Sequence, residues 1–432
     1  MTQPIHVAVI GLGFVGLPLA LTYAMKGAQV VGIDALPAVV DEINAAHSHH
    51  LESYQGKLLA EILREQLDAG RFKATTSYEE AAQKVNNYIV TVGLPVNNGD
   101  PNLQPLKNCA HTLGKVLKKG DTVMIRSTVV PGTTEEVILP ILEEVSGMKS
   151  GEDFYLTYCS ERIAEGRAFE EFINFPLVLG GVNEVSAEKG KELLSFISES
   201  DITISDIRVV ETAKVMENIQ RDVNIAMVQE FARFAEAFQI DTFELIKVAN
   251  THKRVNLLTP GPGVGGFCLP NALHYLSPKA NELGVSLSLL QTARRINDDV
   301  PNVLTNMLEE ALREAGKSLA GSRVAVLGLA MKDFSNDDRV SPVHDLIKIL
   351  QSRGVEVVSF DPAVPTPYDH KKATLEEAVN GADALFLTAL QQEFAELDWS
   401  QTIAQMSKSP ILFDTKNRIP RDLDAQVKVV RI

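Results

Sequence analysis

Residues 6–34 read HVAVIGLGFVGLPLALTYAMKGAQVVGID, and this stretch decides the fold. A short β-branched apolar run ends directly in GLGFVG at 11–16. The apolar helical segment LPLALTYAMKG follows, and a second β-branched run, AQVVGID, closes on an acid 23 residues after the first glycine. Strand, G-x-G-x-x-G, helix, strand, acid is the order of a dinucleotide-binding βαβ unit. Gly11 permits the tight turn, Gly13 lets a pyrophosphate approach, and Gly16 lets the helix pack on the strand, with Phe14 and Val15 completing the loop. The helix N-terminus presents N–H groups and a positive dipole end to phosphate. Asp34 stands where a ribose 2′-hydroxyl would donate to it. No Arg or Lys occurs between Lys26 and Lys57, so nothing nearby is set for a 2′-phosphate, and NAD is the expected cofactor. The uncharged stretch 7–25 is long enough for about one bilayer crossing. Its three glycines, its proline and the lack of a basic segment before it argue against a membrane span or signal peptide.

Outward from this unit, strands and helices alternate to about residue 200. YIVTVGLP (88–95), DTVMIRSTVVPG (121–132), FYLTYCSER (154–162) and PLVLGG (176–181) read as buried parallel strands, with helices at about 56–70, 103–118 and 133–146. That alternation predicts a doubly wound sheet. Residues 205–312 hold no convincing strand. A helical pattern runs over 209–239, with Met216, Ile219, Val223, Met227, Phe231, Phe234 and Phe238 at three- or four-residue spacing, expected to be mostly core and a possible dimer surface. Lys214 and Asn218 share one face of that helix. From 318 on, the first region is repeated in outline: RVAVLGLA (323–330) echoes HVAVIGLG, and VEVVSFDP (355–362) echoes AQVVGIDA. The third glycine is missing and 33 residues separate Gly328 from Asp361. A second Rossmann-like domain is expected, without a dinucleotide site but able to hold one nucleotide half. The expected fold is therefore α/β, two Rossmann-like doubly wound domains joined by a central helical region with a long helix, divided at 1–200, 201–315 and 316–432.

Composition narrows the class. The 432 residues are 45% hydrophobic and 22% charged, ordinary for a soluble globular protein. Net charge is −15, which disfavours nucleic acid and anionic membranes as partners. Three cysteines are too few for a disulfide framework and fit a reducing, cytoplasmic setting. The histidines of HSHH (47–50) lack partner ligands at metal spacing and read as surface. No metal is expected.

One cysteine stands apart. GPGVGGFCLP (261–270) delivers Cys268 at the end of a loop whose glycines, Gly261, Gly263, Gly265 and Gly266, allow close approach to a bound molecule. A glycine loop ending in an inert, buried cysteine is the plainer reading. Beside a nicotinamide site, however, a thiolate can add to an aldehyde, and the thiohemiacetal can be oxidised to a thioester that water cleaves. Such a sequence needs a cation for the oxyanion, a group to hold water and a carboxylate. Lys214, Asn218, Thr128, Glu161 and Glu165 are candidates. Lys332 and Arg339, in the loop after the second domain's first strand, are candidate phosphate or base contacts, with ordinary surface charge as the alternative.

At these residues the chain resembles the nucleotide-sugar dehydrogenases, which oxidise UDP-glucose, UDP-N-acetylhexosamines or GDP-mannose at C6. The resemblance spans nearly the whole chain, through VIGLGFVGLPLA, RSTVVPGTT (126–134), SERIAEG (160–166), ETAKVMENIQRDVNIAMVQE (211–230), NTHKRVNLLTPGPGVGGFCLP (250–270) and KDFSNDDRVSPV (332–343). It implies an N-terminal NAD domain, a central helix at a homodimer interface and a C-terminal UDP-binding domain. Position by position, Cys268 resembles the family's nucleophile, Lys214 and Asn218 its oxyanion and water-binding pair, Thr128 its water-holding threonine and Glu161 its acid–base glutamate. Glu165 and Arg339 match positions that reach the cofactor. Lys332 and the 259–265 loop match UDP-sugar contacts, Arg254 an arginine that often crosses from the partner subunit, and Arg418 is a looser match. The SER form with Arg162 is similar to the N-acetylhexosamine branch, so UDP-ManNAc or UDP-GlcNAc is the expected substrate, with UDP-glucose the alternative. Two positions depart from the pattern. Ala272 stands where an aspartate is common, and Phe267 where a polar residue is. The loss of that carboxylate leaves Lys214 less compensated, and Asn271 or His274 could substitute in part. An arrested enzyme, or a silent binder of UDP-sugar and NAD, is the further reading. The related 6-phosphogluconate and 3-hydroxyacid dehydrogenases need no cysteine and lack a second Rossmann-like half.

Overall fold

The computed structural model describes residues 5–48, 50, 52–97, 99–164 and 166–432. Two compact units account for them. One runs through Glu217 and includes His274–Ser286; the other takes Asn218–Leu273 and Leu287–Ile432.

In the first unit, β-branched apolar runs form strands because their stiff side chains pack well on a pleated surface. The sheet is built from β1 (His6–Ile10), β2 (Gln29–Ile33), β3 (Phe72–Thr75), β4 (Asn87–Val90), β5 (Thr122–Ile125), β6 (Tyr155–Cys159), β7 (Leu177–Gly181) and β8 (Ile202–Ser205). Their order across the sheet is β8-β7-β6-β5-β4-β1-β2-β3. The order reverses direction between β1 and β4, and α1 (Gly16–Met25) crosses from β1 to β2. Val7 and Val9 of β1 join Leu17, Leu21 and Phe172 in one dry cluster.

Two expectations are corrected. PLVLGG is a strand, but β7 runs antiparallel to β6, with Thr157 opposite Gly181, and is parallel only to β8. An apolar run covered on both faces reads alike in either direction, so its composition carried no sign of the reversal. The stretch 133–146 opens as one π-turn, Thr134–Ile138, before an α-helix at Leu139–Ser146.

The long helix α2 (Ile207–Ala237) forms as predicted, but its expected core face holds only in part. Ile219 is buried and Val223 half-buried, whereas Met216, Met227 and Phe231 are exposed, and Phe234 and Phe238 are 62% and 65% exposed. The buried face is lined by Val215, Ala226, Val228, Ala232 and Ala235, and with them by a polar stripe at helical spacing: Glu211, Lys214, Asn218 and Asp222. The helix thus carries apolar residues on both its inner and its outer face, and polar ones inside.

In the second unit lie the first turn of α3 (Cys268–Glu282), which begins at the cysteine and from His274 on belongs to the first unit, and α4 (Ser288–Glu314). The sheet comprises β9 (Arg323–Leu327), β10 (Glu356–Phe360), β11 (Ala384–Leu387), β12 (Ile411–Asp414) and β13 (Lys428–Arg431), in the order β10-β9-β11-β12-β13 and parallel throughout. Alternate residues of β9 separate two cores. Val324 and Val326 pack with Leu346, Leu350 and Leu308, while Ala325 and Leu327 pack with Phe394 and Trp399. That division is the period-2 signature of a sheet covered on both faces. Among the described residues no helix is long and apolar enough to cross a membrane.

Candidate functional site

The first unit holds a nucleotide cradle at the carboxyl end of β1. Gly11 takes φ +93°, and a Cβ there would lie 3.1 Å from the Thr91 carbonyl oxygen. Thr91 Oγ1 donates to the carbonyls of Ile10 and Gly11, clasping the turn to β4. A Cβ on Gly16 would sit 1.7 Å from the Gly11 oxygen, so only glycine lets α1 start there. Around Gly13, by contrast, no protein atom lies within 4 Å of a would-be Cβ. That opening borders the start of α1, which has neither a side-chain cap nor an acid in its first turn, so its N–H groups and dipole suit a phosphate. The half-buried Asp34 accepts from Leu12 N (2.9 Å) and Leu36 N (3.0 Å), one donor on each oxygen, and keeps acceptor capacity for a ribose. These residues fit NAD. The reading of HSHH as plain surface is corrected at one position: His50 is buried, its ring edge-on to Phe14 at 4.9 Å, whereas His47 is exposed and His49 lies outside the described residues. No group of metal-ligating side chains forms among the described residues.

Loops at the carboxyl ends of β5 and β6 carry the next candidates. Thr128 is half-buried in the turn after β5. That turn is held by Glu211 of α2, which accepts from Gly132 N at 2.6 Å and Thr134 N at 2.9 Å. Burial pushes the Glu211 carboxyl upward, and these donors oppose the shift. Glu161 accepts from Arg126 Nη2 at 2.5 Å, from Arg162 N at 2.7 Å and from Ile163 N at 3.0 Å. The Arg162 guanidinium pairs with Glu217 of α2. Glu165 lies outside the described residues. Lys214 is buried on α2.

The second unit holds the remaining candidates. Asn218 is buried, and its Nδ2 has no hydrogen-bond partner among the described residues. One turn further along α2, Asp222 forms a buried pair with Arg294 (2.6 Å) and accepts from Asn297 Nδ2 (2.9 Å). Cys268 is exposed at the first residue of α3, where the helix dipole favours negative charge; the plainer reading of a buried, inert thiol does not hold.

At two of the loop glycines the main chain packs directly on protein. Cβ atoms on Gly263 and Gly265 would come 2.7 and 2.8 Å from Pro342, and Gly266 N donates to the Val340 carbonyl. Gly261 faces open space, and its carbonyl accepts from Gln229. The cysteine loop is thus moulded on the segment after β9. There Arg339 is held by Asp337 at 2.7–2.8 Å and lies over the Phe267 ring at 5.1 Å, while Lys332 is half-buried. Arg254 and Arg418 are exposed. Ala272 is fully buried, so a side chain there faces protein. Helical geometry separates the suggested substitutes. Asn271 shares the Cys268 face three residues on, whereas His274 turns away, its ring packed at Gly99 in the first unit.

Sequence reasoning assigned no role to Arg126, Glu211, Asp222 or Arg294. For Glu211 and Asp222 a signal existed: with Lys214 and Asn218 they continue one polar row at three- and four-residue steps. Arg126 sits at the end of an apolar strand, where a lone charge is itself the signal.

A glycine cradle with its acid, a second nucleotide-type sheet and an exposed thiol at a helix start describe an NAD-dependent oxidoreductase acting on a nucleotide-bearing substrate. Comparison with known proteins agrees. Residues 5–198, 208–299 and 325–421 match, in order, the NAD-binding, central and UDP-binding domains of the UDP-glucose/GDP-mannose dehydrogenase family. The UDP-N-acetyl-D-mannosamine dehydrogenase of Pyrococcus horikoshii is 36% identical over 96% of both chains, and the UDP-N-acetyl-D-glucosamine 6-dehydrogenase of Salmonella typhi 33% identical over 97% of both. The solved Pyrococcus horikoshii UDP-D-ManNAc dehydrogenase superposes with a TM-score of 0.91, covering 99% of each chain at 34% identity. The chain belongs to the UDP-glucose/GDP-mannose dehydrogenase family, and its cofactor is NAD.

Proposed function

We propose that this protein oxidises C6 of a UDP-N-acetylhexosamine, UDP-ManNAc or UDP-GlcNAc, to the uronate through a covalent intermediate on Cys268. The carrying observation is the exposed thiol at the start of α3, at the end of a loop moulded on the UDP-binding domain. Bound NAD⁺ would accept hydride, twice per sugar. Cys268 adds to the C6 aldehyde to form a thiohemiacetal, whose oxidation leaves a thioester. Lys214 offsets the developing oxyanion, and Thr128 and Asn218 hold the water that cleaves the thioester; the Asn218 Nδ2, without a hydrogen-bond partner among the described residues, supports this role. Glu161 supplies a carboxylate to the same chemistry. Gly11, Gly13, Phe14, Val15, Gly16, Asp34, Glu165 and Arg339 serve the cofactor. Arg162, the 261–265 glycines, Lys332, Arg254 and Arg418 serve the nucleotide sugar. The relatives acting on UDP-ManNAc and UDP-GlcNAc support the substrate class. The division at 1–200, 201–315 and 316–432 is part of this reading. So is a homodimer: the exposed Phe231, Phe234 and Phe238 of α2 suit a second copy, which would bring Arg254 to its neighbour.

Purified protein given NAD⁺ and each UDP-N-acetylhexosamine should yield two NADH per uronate. One NADH per sugar would indicate arrest at the aldehyde or thioester, and none across a UDP- and GDP-sugar panel would leave a binder. Cys268→Ser should suppress uronate formation by about a thousandfold or more. Ala272→Asp tests the missing carboxylate, because a large gain in rate would identify it as the limiting loss.

A further inference from the structure

Among the described residues Arg126 is the largest fully buried side chain, and it has one anionic partner. It follows β5, its backbone N–H bonds Val90 in the ladder to β4, and it lies two residues before Thr128. Its guanidinium spans to the next strand's carboxyl end, where Nη2 holds Glu161 Oε2 at 2.5 Å. Phe172 covers its face at 5.6 Å. Nε and Nη1 have no partner among the described residues. The neighbouring Tyr23 hydroxyl and Cys159 thiol donate elsewhere, to the Leu193 and Ser160 carbonyls.

The loop is anchored at other points as well. Its other anchors are carboxylates on backbone N–H groups, Glu52 on Gly166 and Ala168, and Glu171 on Ala164. Burying a guanidinium against one carboxylate is seldom a stabilising device, since apolar replacement of such pairs is often neutral or better. The pair therefore points to geometry at Glu161. A carboxylate offers about four lone pairs. Arg162 N and Ile163 N take both on Oε1, and Arg126 takes one on Oε2.

We propose that Arg126 is the positioning residue for Glu161, fixing its carboxylate so that a single lone pair, on Oε2, remains to receive a hydrogen bond from the reacting sugar or the attacking water. This rests on Glu161 taking part in the chemistry. Among the described residues the charged and titratable groups around the pair are Arg162 from the same loop, Tyr158 and Cys159 from β6, Tyr23 from α1 and, through Arg162, Glu217 from α2.

Arg126→Lys keeps the buried charge but cannot reproduce the planar fork, so it should fold and bind NAD while kcat falls about tenfold or more with KM little changed. Arg126→Met should lose more kcat, again with KM little changed. In the double variant Arg126→Met/Glu161→Gln, the loss should equal that of Glu161→Gln alone, and removing both charges together guards against misfolding of the single variant. Wild-type kcat in a folded Arg126→Lys, or multiplicative losses in the double variant, would overturn the proposal. Wild-type kcat in Glu161→Gln would instead remove the underlying role of Glu161, whatever Arg126 does.

Discussion

The two Rossmann-like sheets solve the same turn with the same residues and then part company. In the first, Thr91 Oγ1 binds the carbonyls of Ile10 and Gly11; in the second, Thr388 Oγ1 binds those of Leu327 and Gly328. Both glycines hold φ near +95°, and both turns receive an acid from the end of the neighbouring strand. The acids differ. Asp34 is half-buried with two backbone donors. Asp361 is fully buried, accepting from Leu329, Ala330, Ala363 and Val364 and from the Gln391 amide. The helix also moves: α1 begins five residues after Gly11, while α5 (Pro342–Ser352) begins fourteen after Gly328. Thus the threonine clasp belongs to the architecture, whereas dinucleotide capacity resides in an open Gly13, an unsaturated acid and a helix start close by.

That comparison can be broken most violently at the shared glycine. A Cβ on Gly328 would meet the Ala389 oxygen at 2.2 Å in a left-handed conformation, so Gly328→Ala should prevent the second unit from folding, read by circular dichroism and proteolysis. Its gentler counterpart is Gly13→Ala, which copies Ala330 of the second sheet. With open space around it, this variant should fold normally yet bind NAD about tenfold or more weakly in a fluorescence titration, because the methyl occupies the pyrophosphate's approach. Normal affinity would mean that the two turns differ for another reason.

Exchanging the acids sharpens the contrast. Asp361→Asn should cost about 1–3 kcal/mol in denaturant unfolding of the second unit and leave NAD affinity intact. Asp34→Asn should weaken NAD binding with little loss of stability.

The smallest expected effect concerns two aspartates that precede strands. Burial pushes Asp121, before β5, up to about 6. Asp383, before β11, is also penalised by burial, but its hydrogen bonds to Lys317, Arg323 N and Ser407 outweigh that and hold it below the usual range. The signs are opposite. The contribution of Asp121 is fully present below about 3.9, its unfolded value, and is lost as pH rises through about 6. That of Asp383 is present above its unfolded value and lost as pH falls through its folded one. Melting from pH 3 to 8 should therefore show Asp121→Asn gaining on wild type as pH rises, and Asp383→Asn losing its deficit in acid. Parallel curves would refute both.

How much could be read in advance follows from where information sits in the chain. The cradle was legible because three glycines, a strand and an acid are each required by backbone geometry. The central strands were legible because burial on both faces demands continuous apolar runs. The edge strands β8 and β13 were not, since their half-exposed residues carry no such demand. The reversed strand β7 was silent for the reason already given. The long helix was correct in extent and only partly so in its buried face: Ile219 lies inside but Phe231, Phe234 and Phe238 lie outside, because periodicity locates an apolar row but cannot say whether a core or water lies against it. Arg126 escaped because its meaning lies in a partner 35 residues away.

The outward phenylalanines of α2 carry one more consequence. A chain that wets so much aromatic surface in isolation gains by mass action whenever another chain covers it, so its melting temperature should climb with protein concentration and sag on dilution. Assays at nanomolar enzyme would then sample a looser population than calorimetry at tens of micromolar.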